Sequence, residues 1–153
     1  MLKLFWELTM HVVERKLLPS QIFNMDETGF LQNSKAKQVI VVSGSKNIWS
    51  KKAETNFYLT LVACVAADGF AVPPLFLVPG KRLNRNVLDS CAIENAKIAT
   101  ADKGFMTSAV FCLWLKHFAD SVPDLTLRPL LLVMDGCSSH YNKDIVELAI
   151  TLW

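Results

Sequence analysis

Leu130-Leu131-Leu132-Val133-Met134-Asp135-Gly136 is the stretch whose reading decides the fold. Five apolar residues stand in a row with no polar alternation. Such runs form strands buried on both faces, and these usually lie centrally in α/β sheets. The run ends abruptly in an acid and a glycine. A second stretch, Gln21-Ile22-Phe23-Asn24-Met25-Asp26, reads as a short strand with the same acidic ending, and Gly29 permits a turn just after it. In open α/β sheets, functional groups gather at the carboxyl ends of strands. Asp26 and Asp135 are therefore the first residues to examine.

The surrounding chain supplies the other layers. Leu2, Phe5, Leu8, Val12 and Val13 have helical spacing, and Pro19 stops that helix. Gln38 to Ser43 is β-branched and strand-like. Asn56 to Ala67 is a nearly continuous apolar run closed by Asp68-Gly69, a dipeptide that favours a hairpin turn. Phe70 to Val78 is the expected return strand, with Pro73-Pro74 as an interruption or an edge signal. Residues 79–101 show little pattern and read as a loop. Thr107 or Ser108 can cap a helix whose buried face is Val110, Phe111, Leu113, Trp114, Leu115 and Phe118. A last helix is expected from Lys143 to Leu152. The order of helix, hairpin strands, helix, buried strand and helix specifies an α/β fold with a mixed sheet.

Composition narrows the class. Of 153 residues, 52% are apolar and 20% charged, with mean hydropathy +0.29, which excludes a disordered chain. Phe57 to Val78, the longest apolar stretch, is interrupted by Asp68, Gly69, Pro73 and Pro74, so a membrane span is not expected. Glu7 falls inside what would be the apolar part of a signal peptide. A cytosolic or nuclear protein is the default. Cys64, Cys91, Cys112 and Cys137 form no C-x-x-C pair, which argues against structural zinc and for reduced thiols. The net charge of +2 conceals an uneven distribution. Residues 35–85 carry eight bases (Lys35, Lys37, Lys46, Lys51, Lys52, Lys81, Arg82 and Arg85) against Glu54 and Asp68, leaving the remainder acidic. A basic middle suits a phosphate backbone; scattered lysines read equally well as a solvated surface.

The two aspartates carry the sharpest chemistry. If their strands are parallel neighbours, the carboxylates lie about 4.8 Å apart in the strand-to-strand direction. Two carboxylates that close repel unless a cation sits between them, and hard oxygen donors suit Mg²⁺ or Mn²⁺. Such a pair supports two-metal phosphoryl transfer, in which one ion activates the attacking oxygen and the other stabilises the leaving oxygen. Taken alone, either aspartate reads more simply as a strand terminator or turn cap; taken together they favour a shared cation.

Other candidates are weaker. Cys137 and His140 have no orienting third group, so a plain thiol and a turn histidine are the simpler reading. Gly136-Cys137-Ser138-Ser139 lacks the closing glycine of a nucleophile elbow. Glu27 reads as a residue supporting Asp26 or as a solvated turn acid. His11 and His117 read as surface or boundary residues. Trp6, Trp114 and Trp153 read as core, while Trp49 lies among lysines and reads equally as core or as a base-stacking platform.

Asn24-Met25-Asp26-Glu27-Thr28-Gly29-Phe30 resembles the first-aspartate motif of the DDE-superfamily transposases, in the pogo/Tigger branch of the mariner-like group. Leu131-Leu132-Val133-Met134-Asp135-Gly136-Cys137-Ser138-Ser139-His140 is similar to that family's second-aspartate motif. Asp68-Gly69, Pro73-Pro74, Gly80-Lys81, and Gly104-Phe105-Met106-Thr107 leading to Trp114-Leu115 resemble its interior, in the same order. The resemblance implies an RNase H-like mixed sheet flanked by helices, with Asp26 and Asp135 as the first two catalytic metal ligands, Mg²⁺ or Mn²⁺ as cofactor, DNA as partner and the nucleus as location. It also implies a third carboxylate some thirty residues beyond Asp135, a final strand and helix, and an N-terminal helix-turn-helix, none of which this sequence contains. Cys137 stands where a histidine is common in the family.

The expectation is thus a partial DDE endonuclease domain over residues 1–153, with weak metal binding and little or no cutting alone. Transposases of this kind often act as dimers, so the resemblance leaves a homodimer open, while the sequence itself does not give the oligomeric state. The alternative is a non-catalytic, transposase-derived nucleic-acid-binding protein of the centromere protein B kind, using Lys51, Lys52, Lys81, Arg82 and Arg85. An unrelated α/β hydrolase is disfavoured, since no phosphate loop or cofactor fingerprint is present.

Overall fold

The computed structural model describes residues 2–31, 58–83 and 91–152. Among them run strands β1 (Ile22–Leu31), β2 (Tyr58–Ala66), β3 (Ala71–Pro79), β4 (Lys97–Ala101) and β5 (Leu131–Val133), and helices α1 (Leu2–Glu14), α2 (Ser108–Ser121) and α3 (Lys143–Leu152). The strands form one mixed sheet in the order β4-β3-β2-β1-β5. Only β2 runs against the others: it is antiparallel to β1 and β3, while β4 is parallel to β3 and β5 is parallel to β1. The α/β class and the mixed RNase H-like sheet expected from the sequence are present.

The Asp68-Gly69 hairpin forms as its sequence demands. Gly69 sits at φ +97°, where a side chain is disfavoured, and the Asp68 carboxylate accepts from the Phe70 N–H at 3.0 Å. Pro73-Pro74 does not mark an edge, because β3 lies between β2 and β4. A register shift between Val62 and Cys64 opposite this dipeptide accommodates two residues that cannot donate to a ladder. The Pro73 carbonyl there accepts from His117 Nε2 at 2.8 Å, so His117 is a buried tie between α2 and the sheet rather than a boundary residue.

One face of the sheet is covered. Phe23, Met25, Val62, Cys64, Val72, Leu75 and Leu77 are buried under Phe111, Trp114, Leu115 and Phe118 of α2, spaced i, i+3, i+4, i+7. Phe23 meets Phe118 edge-on at 5.0 Å, and Trp114 stacks on Phe118 at 5.5 Å. Thr107 caps α2 by accepting from the Val110 N–H, as its position before the apolar run requires. Leu113, counted with the buried face in the sequence, points away and is 58% exposed. Ile145 of α3 completes the core, and Asn142 caps that helix through the Ile145 N–H.

Several expectations are corrected. β1 does not stop at Asp26 but continues to Leu31, and Gly29 lies within the strand, where a Cβ would run into the Tyr58 ring. The segment 79–101, read as a loop, contains β4, whose Lys-Ile-Ala-Thr-Ala sequence alternates too briefly to stand out. β5 is half-buried and pairs only with β1 among the described residues, an edge position rather than a central one. Trp6 is 66% exposed on α1, which buries none of its residues. The strand expected at residues 38–43, Trp49 and Trp153 lie outside the described residues.

All four cysteines are free, but their environments differ. Burial pushes the Cys64 thiol up to about 12, whereas Cys137 is exposed. Titration of the native chain with a disulfide reagent at pH 8 is expected to modify Cys137 rapidly and Cys64 only after denaturant is added. From about pH 9 to pH 12 the unfolded chain ionises Cys64 while the folded chain does not, so stability falls across that window, by at most about 1.4 kcal/mol per pH unit. Urea unfolding at pH 8 and pH 10.5 measures it.

Candidate metal centre

The site is built where β1 and β5 run side by side. Their register pairs Ile22 with Leu131, Phe23 with Leu132 and Asn24 with Val133. Two residues further along both segments stand Asp26 and Asp135. Continuing that register past its last pair leads to the two predicted acids on adjacent segments, Asp26 still within β1 and Asp135 just beyond β5. Gln21 locks the approach. It is buried, donates from Nε2 to the Pro129 carbonyl at 2.8 Å, and accepts from the Leu18 N–H at 3.0 Å, joining the start of β1 to the start of β5 across 108 residues of sequence.

Each acid has one oxygen held by local backbone. Asp26 Oδ1 accepts from the Glu27 N–H at 2.8 Å, and Asp135 Oδ1 accepts from the Cys137 N–H at 3.1 Å. No hydrogen bond engages either Oδ2 from the described residues. Both side chains are open to solvent, that of Asp135 being 64% exposed. In kind this is a hard-oxygen donor pair suited to Mg²⁺ or Mn²⁺. In number it is a pair: among the described residues, no group of three or more His, Cys, Asp or Glu is placed to hold a metal.

His140, set aside in the sequence as a turn histidine, lies in this site. It sits on a single 3₁₀ turn (Ser138–His140), closed by its N–H to the Cys137 carbonyl, and its side chain is only 5% exposed. Nε2 donates to Glu27 Oε1 at 2.7 Å, since a carboxylate accepts. Nδ1 comes within 2.7 Å of Asp135 Oδ1, an ion-pair distance outside the angular range of a hydrogen bond. The Phe111 ring packs on the imidazole at 4.9 Å. Glu27 is thus neither a solvated turn acid nor free: alternation along β1 turns it to the covered face with Phe23 and Met25, while Asp26 shares the exposed face with Asn24. The signal in the sequence was the i, i+5 spacing of Asp135 and His140, which points nowhere until the tight turn between them is known. Cys137 is exposed and accepts from Ser139 Oγ at 3.2 Å, with no contact to the imidazole that would make a nucleophile-base pair.

Of the predicted basic contacts, Lys81 and Arg82 lie among the described residues, where they are exposed. Asp26 pairs with Ala63, which faces the Pro73-Pro74 irregularity, whereas Lys81 and Arg82 follow the far end of β3 past a bend at Gly80. Lys35, Lys37, Lys46, Lys51, Lys52 and Arg85 lie outside the described residues.

Comparison with known proteins bears on this arrangement. The family model described as DDE superfamily endonuclease matches residues 57–151. The chain belongs to the DDE superfamily endonucleases. A curated relative, the MFS-type transporter clz9 of Cochliobolus lunatus, is 26% identical over 142 residues, covering 90% of this chain but 15% of that protein. No helix among the described residues is long and apolar enough to cross a membrane. Among solved structures, the Mos1 transposase paired-end complex with left transposon end superposes with TM-score 0.55 at 15% identity, over 95% of this chain and 37% of that one. The mariner Mos1 paired-end complexes with Mg and with Mn give TM-scores of 0.53 and 0.52 at 16% and 17% identity, over 96% and 95% of this chain. This DDE endonuclease domain therefore shares its fold with the Mos1 transposase and spans 38% or less of that chain's length.

Because Gln21 fixes the strand pairing that leads to the two acids, its loss is specific. Gln21→Ala leaves the Leu18 N–H and the Pro129 carbonyl without this partner and is expected to cost roughly 1–3 kcal/mol in urea unfolding.

Proposed function

We propose that this chain is the part of a transposase-type endonuclease that carries the first two metal-binding carboxylates, Asp26 and Asp135, for metal-dependent cutting and joining of DNA. The observation that supports this reading is the parallel β1–β5 register, whose continuation leads to Asp26 and Asp135 on adjacent segments of a DDE endonuclease domain. The Mg and Mn in the named Mos1 complexes support the choice of metal. A divalent ion held there supplies Lewis-acid stabilisation of a phosphoryl oxygen and a more acidic bound water. Asp26 and Asp135 would each offer Oδ2, with Oδ1 kept in place by the Glu27 and Cys137 N–H groups. Among the described residues the site offers two carboxylates, and a pair of monodentate oxygen donors makes a weak site for a divalent ion. The nucleus, where transposase substrates lie, is the proposed location.

Mn²⁺ titration followed by electron paramagnetic resonance tests the site. The wild-type chain is expected to bind Mn²⁺ weakly, and Asp26→Ala and Asp135→Ala each to abolish that binding. Unchanged affinity in both variants would sink the shared site.

A second reading, DNA binding without chemistry, is favoured by the exposure of Lys81 and Arg82 beyond the strand end. It commits to backbone contacts and hence to steep salt dependence without sequence preference. The double variant Lys81→Ala/Arg82→Ala is expected to lower the slope of log K against log salt by roughly 2, close to 0.9 per lost phosphate contact. Fluorescence anisotropy with a labelled duplex reads it; a slope unchanged by the double variant rejects these two residues as DNA contacts.

A further inference from the structure

We propose that His140 is a positioning residue for Asp135, and that Glu27 acts on Asp135 through it. The inference rests on the reading of Asp135 as a metal ligand and deepens that reading.

An exposed aspartate on a chain segment just past a strand has free rotamers. Ordering it around an ion costs entropy that a preset carboxylate does not lose again on binding. Asp135 is 64% exposed and held by one backbone N–H, and it also touches a buried side chain. The His140 imidazole is 5% exposed and held on three sides: by Phe111 against one face at 4.9 Å, by Glu27 Oε1 at 2.7 Å from Nε2, and by its own short turn. Its remaining nitrogen, Nδ1, is buried, has no aligned hydrogen bond, and lies 2.7 Å from Asp135 Oδ1. The Cys137 N–H donates to the same oxygen, so both contacts from the described residues fall on Oδ1 and none on Oδ2.

Glu27 cannot share this duty with Asp26 on the same face. Alternation along β1 turns its carboxylate to the opposite side, and its Oε1 is engaged by the imidazole. One strand thus contributes twice to the site: Asp26 directly and Glu27 indirectly, through a ring that comes from 113 residues later in the chain. Partners that orient ligating groups typically change metal affinity ten- to a hundred-fold when removed.

The test is Mn²⁺ affinity of the chain by electron paramagnetic resonance, with thermal unfolding by circular dichroism on every variant. His140→Ala is expected to weaken binding ten- to a hundred-fold, and Glu27→Ala by up to about tenfold. Glu27→Gln, which keeps an acceptor for Nε2, is expected to recover most of the Glu27→Ala loss. The double variant is expected to bind no more weakly than His140→Ala alone, since Glu27 has no route to Asp135 without the ring. Wild-type affinity in His140→Ala, or a full Glu27→Ala loss on top of His140→Ala, overturns the proposal while leaving the shared metal site standing. If Asp26→Ala and Asp135→Ala also bind like wild type, the metal reading itself has failed. Should His140→Ala not fold, Glu27→Ala and Glu27→Gln decide: equal, wild-type affinity in both overturns it.

Discussion

Three parallel pairs between β1 and β5 hold the functional half of this domain together. Parallel ladders are slightly weaker per residue than antiparallel ones, and this one is short. It has help at both ends. Gln21 ties it below through the Pro129 carbonyl, and His140 spans it above by touching Glu27 on one side and Asp135 on the other. Between these two polar clamps, Phe23 and Leu132 face the α2 aromatics, so burial keeps the strands from slipping in register. A shift of one residue would put Met25 in solvent and Asp26 in the core.

The polar clamps follow a consistent pattern. Buried side chains with hydrogen-bonding capacity sit where the sheet changes character: Gln21 where a parallel pair begins, His117 at the Pro73-Pro74 irregularity, Thr60 donating to the Gly104 carbonyl, and His140 past the last pair of β5. Each addresses a carbonyl or carboxylate outside the regular ladder. Unpaired, such groups cost free energy when shielded from water. The domain thus stays apolar in its middle and reserves polar contacts for the irregular places.

Much of this was legible in the sequence. The unbroken Leu130–Met134 run announced an α/β sheet, Asp68-Gly69 announced the hairpin, and the spacing of Phe111, Trp114, Leu115 and Phe118 announced the helix that covers it. Asp26 and Asp135 stood out because each follows apolar residues at a strand. What stayed hidden has physical reasons. β4 is five residues long, with a Lys and a Thr, and its pairing with β3 comes from tertiary contact rather than local preference. β1 runs on past Asp26 because β2 offers it partners as far as Tyr58, which no local pattern reveals. Trp6 read as core because large aromatics usually are, but α1 buries none of its residues. His140 was overlooked because its meaning lies in a contact with a residue on the first strand.

That distance along the chain has a consequence for how the domain is made. β1, β2 and β3 form an antiparallel meander from the first half of the sequence, whereas β5 arrives after α2. Contacts between distant segments form late, because the intervening chain must be ordered or looped first. During synthesis from the N-terminus, Asp26 and Glu27 are laid down on a strand with nothing on their far side until Asp135 and His140 emerge. The grouping of the acids thus needs two stretches of sequence more than a hundred residues apart, and it is complete only once β5 has paired with β1.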